Sequence, residues 1–307
     1  MSTAPSNQTP TDTTVALDDP RHKFPAPPFA EQHQPWPGLA AQMDPRPDHG
    51  EASYRGSGRL SGRRALITGG DSGMGAAAAI AFAREGADVV ISYLPDEQSD
   101  ADGVLRLIHE AGARGVGIPG DLRDETVCTS LIEQTVAALG GIDILVSNAG
   151  RQQSVDSILD LTTEEFDATM KTNIYAPFWL IRAAVPYMRP GSVIIGSTSE
   201  QAEDPTPDIY HYAMTKAATS NYVRGLAKQL APRGIRVCGV APGPIWTPLQ
   251  VSGGASMAKL IAFGGQTPLG RPGQPGELAG IYVLLAEESS SFTTGAVYGA
   301  SGGAGKP

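Results

Sequence analysis

Tyr212 and Lys216 stand four residues apart at the start of a stretch, Tyr212 to Leu230, that reads as helix. That spacing puts both side chains on one helix face. A free tyrosine titrates near about 10 and is a poor base at neutral pH. A neighbouring ammonium favours its phenolate, so the pair makes an acid/base of the kind that moves a hydroxyl proton. Taken alone, Tyr-x-x-x-Lys also describes an exposed helix face. A second feature narrows the reading. Thr68-Gly69-Gly70-Asp71-Ser72-Gly73-Met74-Gly75 follows a short apolar run, Ala65 to Thr68, and precedes the helix-forming stretch Ala76 to Arg84. Glycines allow a sharp turn and a close approach of phosphate to backbone. The helix beginning near Met74 offers its unpaired amides to that phosphate.

These residues need a frame, and the chain from Arg63 onward provides one. Apolar runs at Asp88–Ser92, Val116–Ile118, Ile142–Val146, Val193–Gly196 and Arg236–Val240 read as strands, with Ala296–Tyr298 as a last one. Between them Gln98–Glu110, Glu125–Leu139, Thr163–Met188, Tyr212–Leu230 and Gly276–Ala286 read as helices. Pro177 and Pro186 interrupt the third of these. Alternation of apolar strands and helices predicts an α/β fold, a single doubly wound parallel sheet of the Rossmann type. Ligands of such sheets lie beyond the carboxyl ends of the strands. The motifs fall at those ends or on the helix that follows.

At this point the chain resembles the short-chain dehydrogenase/reductase family. Thr68, Gly69, Gly73 and Gly75 meet its Thr-Gly-x-x-x-Gly-x-Gly loop, and Ser147-Asn148-Ala149-Gly150 stands where the family has Asn-Asn-Ala-Gly. Pro242-Gly243-Pro244-Ile245-Trp246-Thr247 matches its Pro-Gly-x-Ile-x-Thr. The resemblance covers roughly Gly56 to Gly303. It implies a nicotinamide cofactor held by Gly69, Asp71, Ser72, Gly73, Met74, Gly75, Tyr93, Asp121, Leu122, Asn148, Ala149, Gly150, Tyr212, Lys216, Pro242, Gly243, Ile245 and Thr247. Ile245 and Thr247 would meet its nicotinamide end, and Asp121 with Leu122 would flank the adenine. It implies a catalytic set of Asn173, Ser199, Tyr212 and Lys216. Ser199 precedes Tyr212 by 13 residues and would hydrogen-bond the substrate oxygen. Ser197 is the runner-up. Asn173 would hold a water linking Lys216 to solvent; otherwise it is a helix residue in a local cap. Thr68–Gly73, Ile91–Pro95 and the Pro-rich start look like a bacterial general-stress or glucose/ribitol-dehydrogenase-like group.

The implied activity is hydride transfer between NAD(P)(H) and an alcohol, sugar or ketone. A nicotinamide-binding regulator without turnover is the alternative. A nucleotide-sugar epimerase would need a different glycine spacing. NAD or NADP both fit, with a lean to NADP, because Ser92-Tyr93-Leu94-Pro95 carries no carboxylate and Ser92 or Tyr93 offers a donor to a 2′-phosphate. Substrate choice is expected to lie in Arg151–Ser157, the 200–210 loop, and a lid over Trp246–Gln266 with an apolar helix. His211 points away from Tyr212's direction. Glu200, Glu203, Asp204 and Asp208 read as solvated loop charge.

Residues 1–59 differ from the rest. Ten of 25 prolines fall before residue 48, and periodic apolar patterning is absent. We expect a Pro-rich arm, disordered over its first twenty residues, preceding a dehydrogenase/reductase domain at 60–307. Phe24, Phe29, Trp36 and Tyr54 would let the later part lie on the body or on a neighbouring subunit; a loose tail is the other reading. The formal net charge of −9 argues against nucleic acid as a partner. No apolar run is long enough for a bilayer. Two cysteines, Cys128 and Cys238, in apolar contexts suggest buried thiols, no metal site and a cytoplasmic setting. The resemblance implies a homo-oligomer, a tetramer, acting on a small molecule.

Overall fold

The computed structural model describes residues 17–304. Among them β1 (Arg64–Thr68), β2 (Asp88–Tyr93), β3 (Gly115–Pro119), β4 (Ile144–Ser147), β5 (Val193–Ser197), β6 (Arg236–Pro242) and β7 (Val297–Ala300) form one sheet in the order β3-β2-β1-β4-β5-β6-β7. Every pairing is parallel. The order reverses between β1 and β4, which opens a crevice at their carboxyl ends.

Strand alternation sorts the core into two layers. Ala65, Ile67, Val89, Ile91, Ile144, Val146, Val193 and Ile195 pack with α1 (Gly73–Arg84), α2 (Gln98–Glu110) and α9 (Pro275–Ala286). Leu66, Val90, Leu145, Ile194 and Val237 face α3 (Glu125–Leu139), α5 (Ala176–Ala184) and α6 (Tyr210–Leu230). The alanine run of α1 is buried throughout, and its small side chains let that helix close on the sheet and on α9. This is the doubly wound parallel sheet expected from the alternation.

Some boundaries differ from the sequence reading. β4 opens at Ile144, not Ile142, because Asp143 turns to take the Arg64 guanidinium at 2.7 Å. The span read as one helix from Thr163 to Met188 is α4 (Thr163–Met170), a π-helical turn (Lys171–Tyr175), α5, and a tight turn (Val185–Tyr187) at Pro186. Pro177 has no amide to offer the Asn173 carbonyl four residues earlier, so α-helical bonding cannot run through that point. The stretch read as a lid carries two short helices, α7 (Pro248–Ser252) and α8 (Met257–Ile261), instead of one. Both cysteines are buried.

The Pro-rich segment, from residue 17 on, lies on the body; most of the disorder expected of the first twenty residues concerns positions outside the described ones. Phe29 stacks on Trp246 with ring centroids 4.4 Å apart, and its amide bonds to the Ile261 carbonyl. The Trp246 indole donates to the Pro45 carbonyl at 2.8 Å. Asp100 of α2 accepts from the Ala40 and Ala41 amides. Arg84 binds three carbonyls between Gly50 and Tyr54. Proline-rich backbone is ill suited to a sheet, so its polar groups are met by side chains and loop backbone of the body instead.

Phe29→Ala is expected to loosen this segment, since truncating a buried Phe costs about 3–5 kcal/mol. Limited proteolysis should then cut between residues 17 and 46 far faster than in the wild type. A loose tail would be cut equally fast in both.

Candidate active site

The cleft at the carboxyl ends of the strands is built on the glycine-rich turn. Gly69 and Gly73 have φ of 60° and 51°, a region that disfavours side chains. A Cβ on Gly75 would fall 1.9 Å from the Gly69 carbonyl oxygen. Glycine there is a packing demand that draws the start of α1 against the turn. Thr68 Oγ1 accepts from the amides of Asn148 and Ala149, at 3.0 and 3.1 Å, tying β1 to the segment after β4. The Asn148 side chain donates to the Thr68 and Gly69 carbonyls.

Tyr212 and Lys216 enter from the first turns of α6, both nearly buried. The Lys216 Nζ lies 5.4 Å from the centre of the Tyr212 ring and donates to the Ser197 carbonyl at 2.8 Å. Burial pushes Tyr212 up to about 12; the nearby Ser199 hydroxyl pulls the other way, and the Glu200 carboxylate adds to the rise. Burial pushes Lys216 down to about 8. Ser199 begins a short helical turn (Glu200–Ala202) and its Oγ accepts from the Gln201 amide at 3.1 Å. Ser197 is engaged otherwise: its hydroxyl bonds Asn148 at 3.1 Å and Tyr282 at 2.6 Å.

Asn173 sits in the π-helical turn with both amide hydrogens and one Oδ1 lone pair engaged. Its Oδ1 accepts from the Arg151 amide at 2.8 Å, and its Nδ2 donates to the Arg151 carbonyl and Thr215 hydroxyl. It thereby pins the segment after β4 against α6. A Cβ on Gly150 would lie 3.6 Å from the Lys216 Nζ and 3.7 Å from the Asn173 Oδ1, so the three meet at one point.

Of the residues singled out from sequence, Gly69, Asp71, Ser72, Gly73, Met74, Tyr93, Asp121, Leu122, Asn148, Ala149, Gly150, Tyr212, Lys216 and Thr247 line one cleft. Gly75, Asn173, Ser199, Pro242, Gly243 and Ile245 do not. Ile245 is buried and bridges to Gly273, which positions the chain leading to Thr247. Trp36, Leu94, Glu97, Arg151 and Leu249 also line the cleft without having been placed at the cofactor by sequence. Trp36 lies under the Arg151 guanidinium, 4.6 Å from ring centre to Cζ, and Arg151 also holds Glu165 at 2.8 Å. The length of the intervening chain hides such a contact from any local pattern. Two residues of the 200–210 loop depart from the expectation of solvated charge. Burial and the nearby Asp204 push Glu200 up to about 7, and Asp208 is paired with Lys259 at 2.7 Å. His211 is buried, and neither ring nitrogen finds a partner; burial lowers its pKa.

Asp71 is a further carboxylate whose titration burial shifts, holding its pKa above the ordinary 3.8. A raised carboxyl favours the folded state fully below that ordinary value, and the contribution is lost as pH rises through the folded value. Asp71→Asn stays neutral throughout. Its Tm relative to the wild type is therefore expected to climb by several degrees between pH 4 and pH 9 in thermal melts. A constant difference across that range would show that Asp71 is ordinarily ionised.

Residues 69–305 match the family described as Enoyl-(Acyl carrier protein) reductase. The chain is 53% identical to an uncharacterized oxidoreductase, YghA, of Escherichia coli over 94% of its length and 98% of the relative's. It is 44% identical to general stress protein 39 of Bacillus subtilis, over 87% of this chain and 93% of that one. Among solved structures, a short chain dehydrogenase from Burkholderia cenocepacia in complex with NADP superimposes with a TM-score of 0.74 at 33% identity, covering 80% of this chain and 98% of that one.

Proposed function

The chain belongs to the short-chain dehydrogenase/reductase family, and from that premise we propose an NAD(P)-dependent oxidoreductase interconverting a CH–OH group and a carbonyl, with Tyr212 as its acid/base. The observation that carries the proposal is the Tyr212 hydroxyl against Ser199, with the Lys216 ammonium behind its ring, in the cleft that the glycine-rich turn opens.

The residues of the cleft suit a dinucleotide. The close packing at Gly69 and Gly75 leaves the amides at the start of α1 facing a phosphate. Gly69, Ser72, Gly73 and Met74 would hold the pyrophosphate, Tyr93, Asp121 and Leu122 the adenosine, and Asn148, Ala149, Gly150 and Thr247 the nicotinamide half. When bound, the nicotinamide gives or takes a hydride at the substrate carbon.

The protein's own groups manage the proton. Tyr212 holds its proton through neutral pH, because burial and Glu200 outweigh the influence of the Ser199 hydroxyl. That state suits donation to an oxygen gaining negative charge, hence carbonyl reduction. Oxidation needs the phenolate, which positive charge from Lys216 and an oxidised nicotinamide favours. Ser199 donates to the substrate oxygen beside Tyr212. Lys216 lends charge and fixes the tyrosine. The Asn173 amide has both hydrogens committed but keeps one Oδ1 lone pair, and its backbone carbonyl is denied an amide at Pro177, so a relay water would be held at one of these two oxygens. Substrate is chosen by Arg151–Ser157, the 200–210 loop and the α7–α8 region. The same reading carries a cytoplasmic homotetramer, which light scattering tests for its assembly.

The test is turnover by the purified protein: NADH or NADPH with aldehydes, ketones and aldoses, and NAD+ or NADP+ with alcohols and polyols. At least one pair is expected to turn over. Nucleotide binding with no turnover anywhere would instead support a regulatory sensor.

A further inference from the structure

The adenosine end of the cleft is more acidic than its local sequence suggests. The Gly70 amide bonds to the Ser92 carbonyl at 3.1 Å, seating the glycine-rich turn on the carboxyl end of β2. Only glycine permits this approach, since a Cβ on Gly70 would lie 2.5 Å from the Ile91 side chain. Asp71 follows directly and lines the same corner as Ser92, Tyr93, Leu94 and Glu97. It is 2% exposed. Neither of its carboxylate oxygens reaches a hydrogen-bond partner, and neither does the Ser92 hydroxyl. Its own amide and Ser72 approach the carboxylate without hydrogen-bond geometry. Glu97 folds back from the turn Pro95–Glu97, and its Oε2 accepts from the Leu94 amide at 2.7 Å. Burial first, and then Asp71, holds the Glu97 carboxyl above its usual range.

The positive groups nearby are already taken. Arg123 lines this end, but its guanidinium is bound to both oxygens of Asp121 at 2.5–3.0 Å. Arg151 is committed to Glu165 and Trp36. The His49 Nδ1 lies 2.9 Å from Glu51, and its Nε2 has no partner. A ribose 2′-hydroxyl both donates and accepts, so it meets the unpaired oxygens of Asp71 and the hydroxyl of Ser92. A 2′-phosphate brings only acceptors and about two negative charges beside two carboxyls.

We propose that Asp71 and Glu97 select the nucleotide, admitting NAD(H) with its free adenosine 2′-hydroxyl and rejecting NADP(H). This rests on the cofactor reading above, and it reverses the lean drawn from the missing carboxylate in β2. The carboxylates come from the turn before and from three residues beyond Leu94.

Equilibrium titration of the full-length protein with NADH and with NADPH, followed by nucleotide fluorescence at fixed ionic strength and at pH 9, above the raised titrations of Asp71 and Glu97, tests it. The wild type is expected to bind NADH more tightly by at least roughly tenfold. Asp71→Ser/Glu97→Gln should close that ratio by roughly tenfold, chiefly through tighter NADPH binding. Asp71→Asn, which keeps the shape and removes the charge, should close it in part. Equal or tighter NADPH binding by the wild type overturns the assignment while leaving the cofactor reading intact. So does an unchanged ratio in a double variant with wild-type circular dichroism. Should that variant not fold, the wild-type ratio and Asp71→Asn decide. Binding of neither nucleotide overturns both this inference and the reading beneath it.

Discussion

Tyr212→Phe is expected to lower kcat by about 10²- to 10⁴-fold, the range for losing a positioned acid/base, with nucleotide affinity little changed. The ring stays, so the packing around it is conserved and Lys216 keeps its contact with the Ser197 carbonyl. What goes is the hydroxyl beside Ser199 that the proposed mechanism uses to exchange a proton with substrate. Because the tyrosine is held protonated, the loss should be clearest in carbonyl reduction at neutral pH. Raising the pH should help the wild type in the oxidation direction, where phenolate is the working form, and should do little for the variant. The measurement is kcat and Kd in both directions across pH 6–10. Wild-type kcat in Tyr212→Phe would remove the tyrosine from the chemistry, whatever nucleotide binds.

Much of this site was legible because its determinants are local. Gly69, Gly73 and Gly75 sit in a turn whose backbone demands them, and the turn lies between a strand and a helix that their own apolar periods announce. Tyr212 and Lys216 share a helix face by arithmetic. Ser199 was preferred to Ser197 on spacing; the Ser197 hydroxyl is bonded to Asn148 and Tyr282, yet Ser197 lines the cleft and Ser199 does not. What escaped were contacts between distant segments. Trp36 meets Arg151 across more than a hundred residues because the Pro-rich segment folds back to the cleft. Glu97 was missed for another reason. A carboxylate was sought over Ser92–Pro95 at the end of β2, whereas this one returns from the turn just beyond. Glu200 was read as loop charge because sequence shows polarity but not burial.

Lys216→Met separates chemistry from stability in one residue. Removing the ammonium is expected to lower kcat on the order of 10²-fold, within the span of acid/base support, and to weaken nucleotide binding, since the Nζ lies beside Gly150 on the wall of the cleft. Stability should move the other way. The folded protein lowers the lysine from 10.5 to about 8 by burying it. A depressed amine favours the folded state above its unfolded value, and that contribution is lost as pH falls through the folded value. At pH 7 the wild type therefore carries a buried charge at a cost on the order of 3 kcal/mol. Methionine fills much the same space without it, although the Ser197 carbonyl loses its donor. The variant's Tm at pH 7 should equal or exceed the wild type's, and the advantage should shrink between pH 8 and 10.5. A residue present only to hold the fold would give the reverse: a lower Tm with kinetics falling in step. Melting curves and nucleotide titrations on the same preparation distinguish the two.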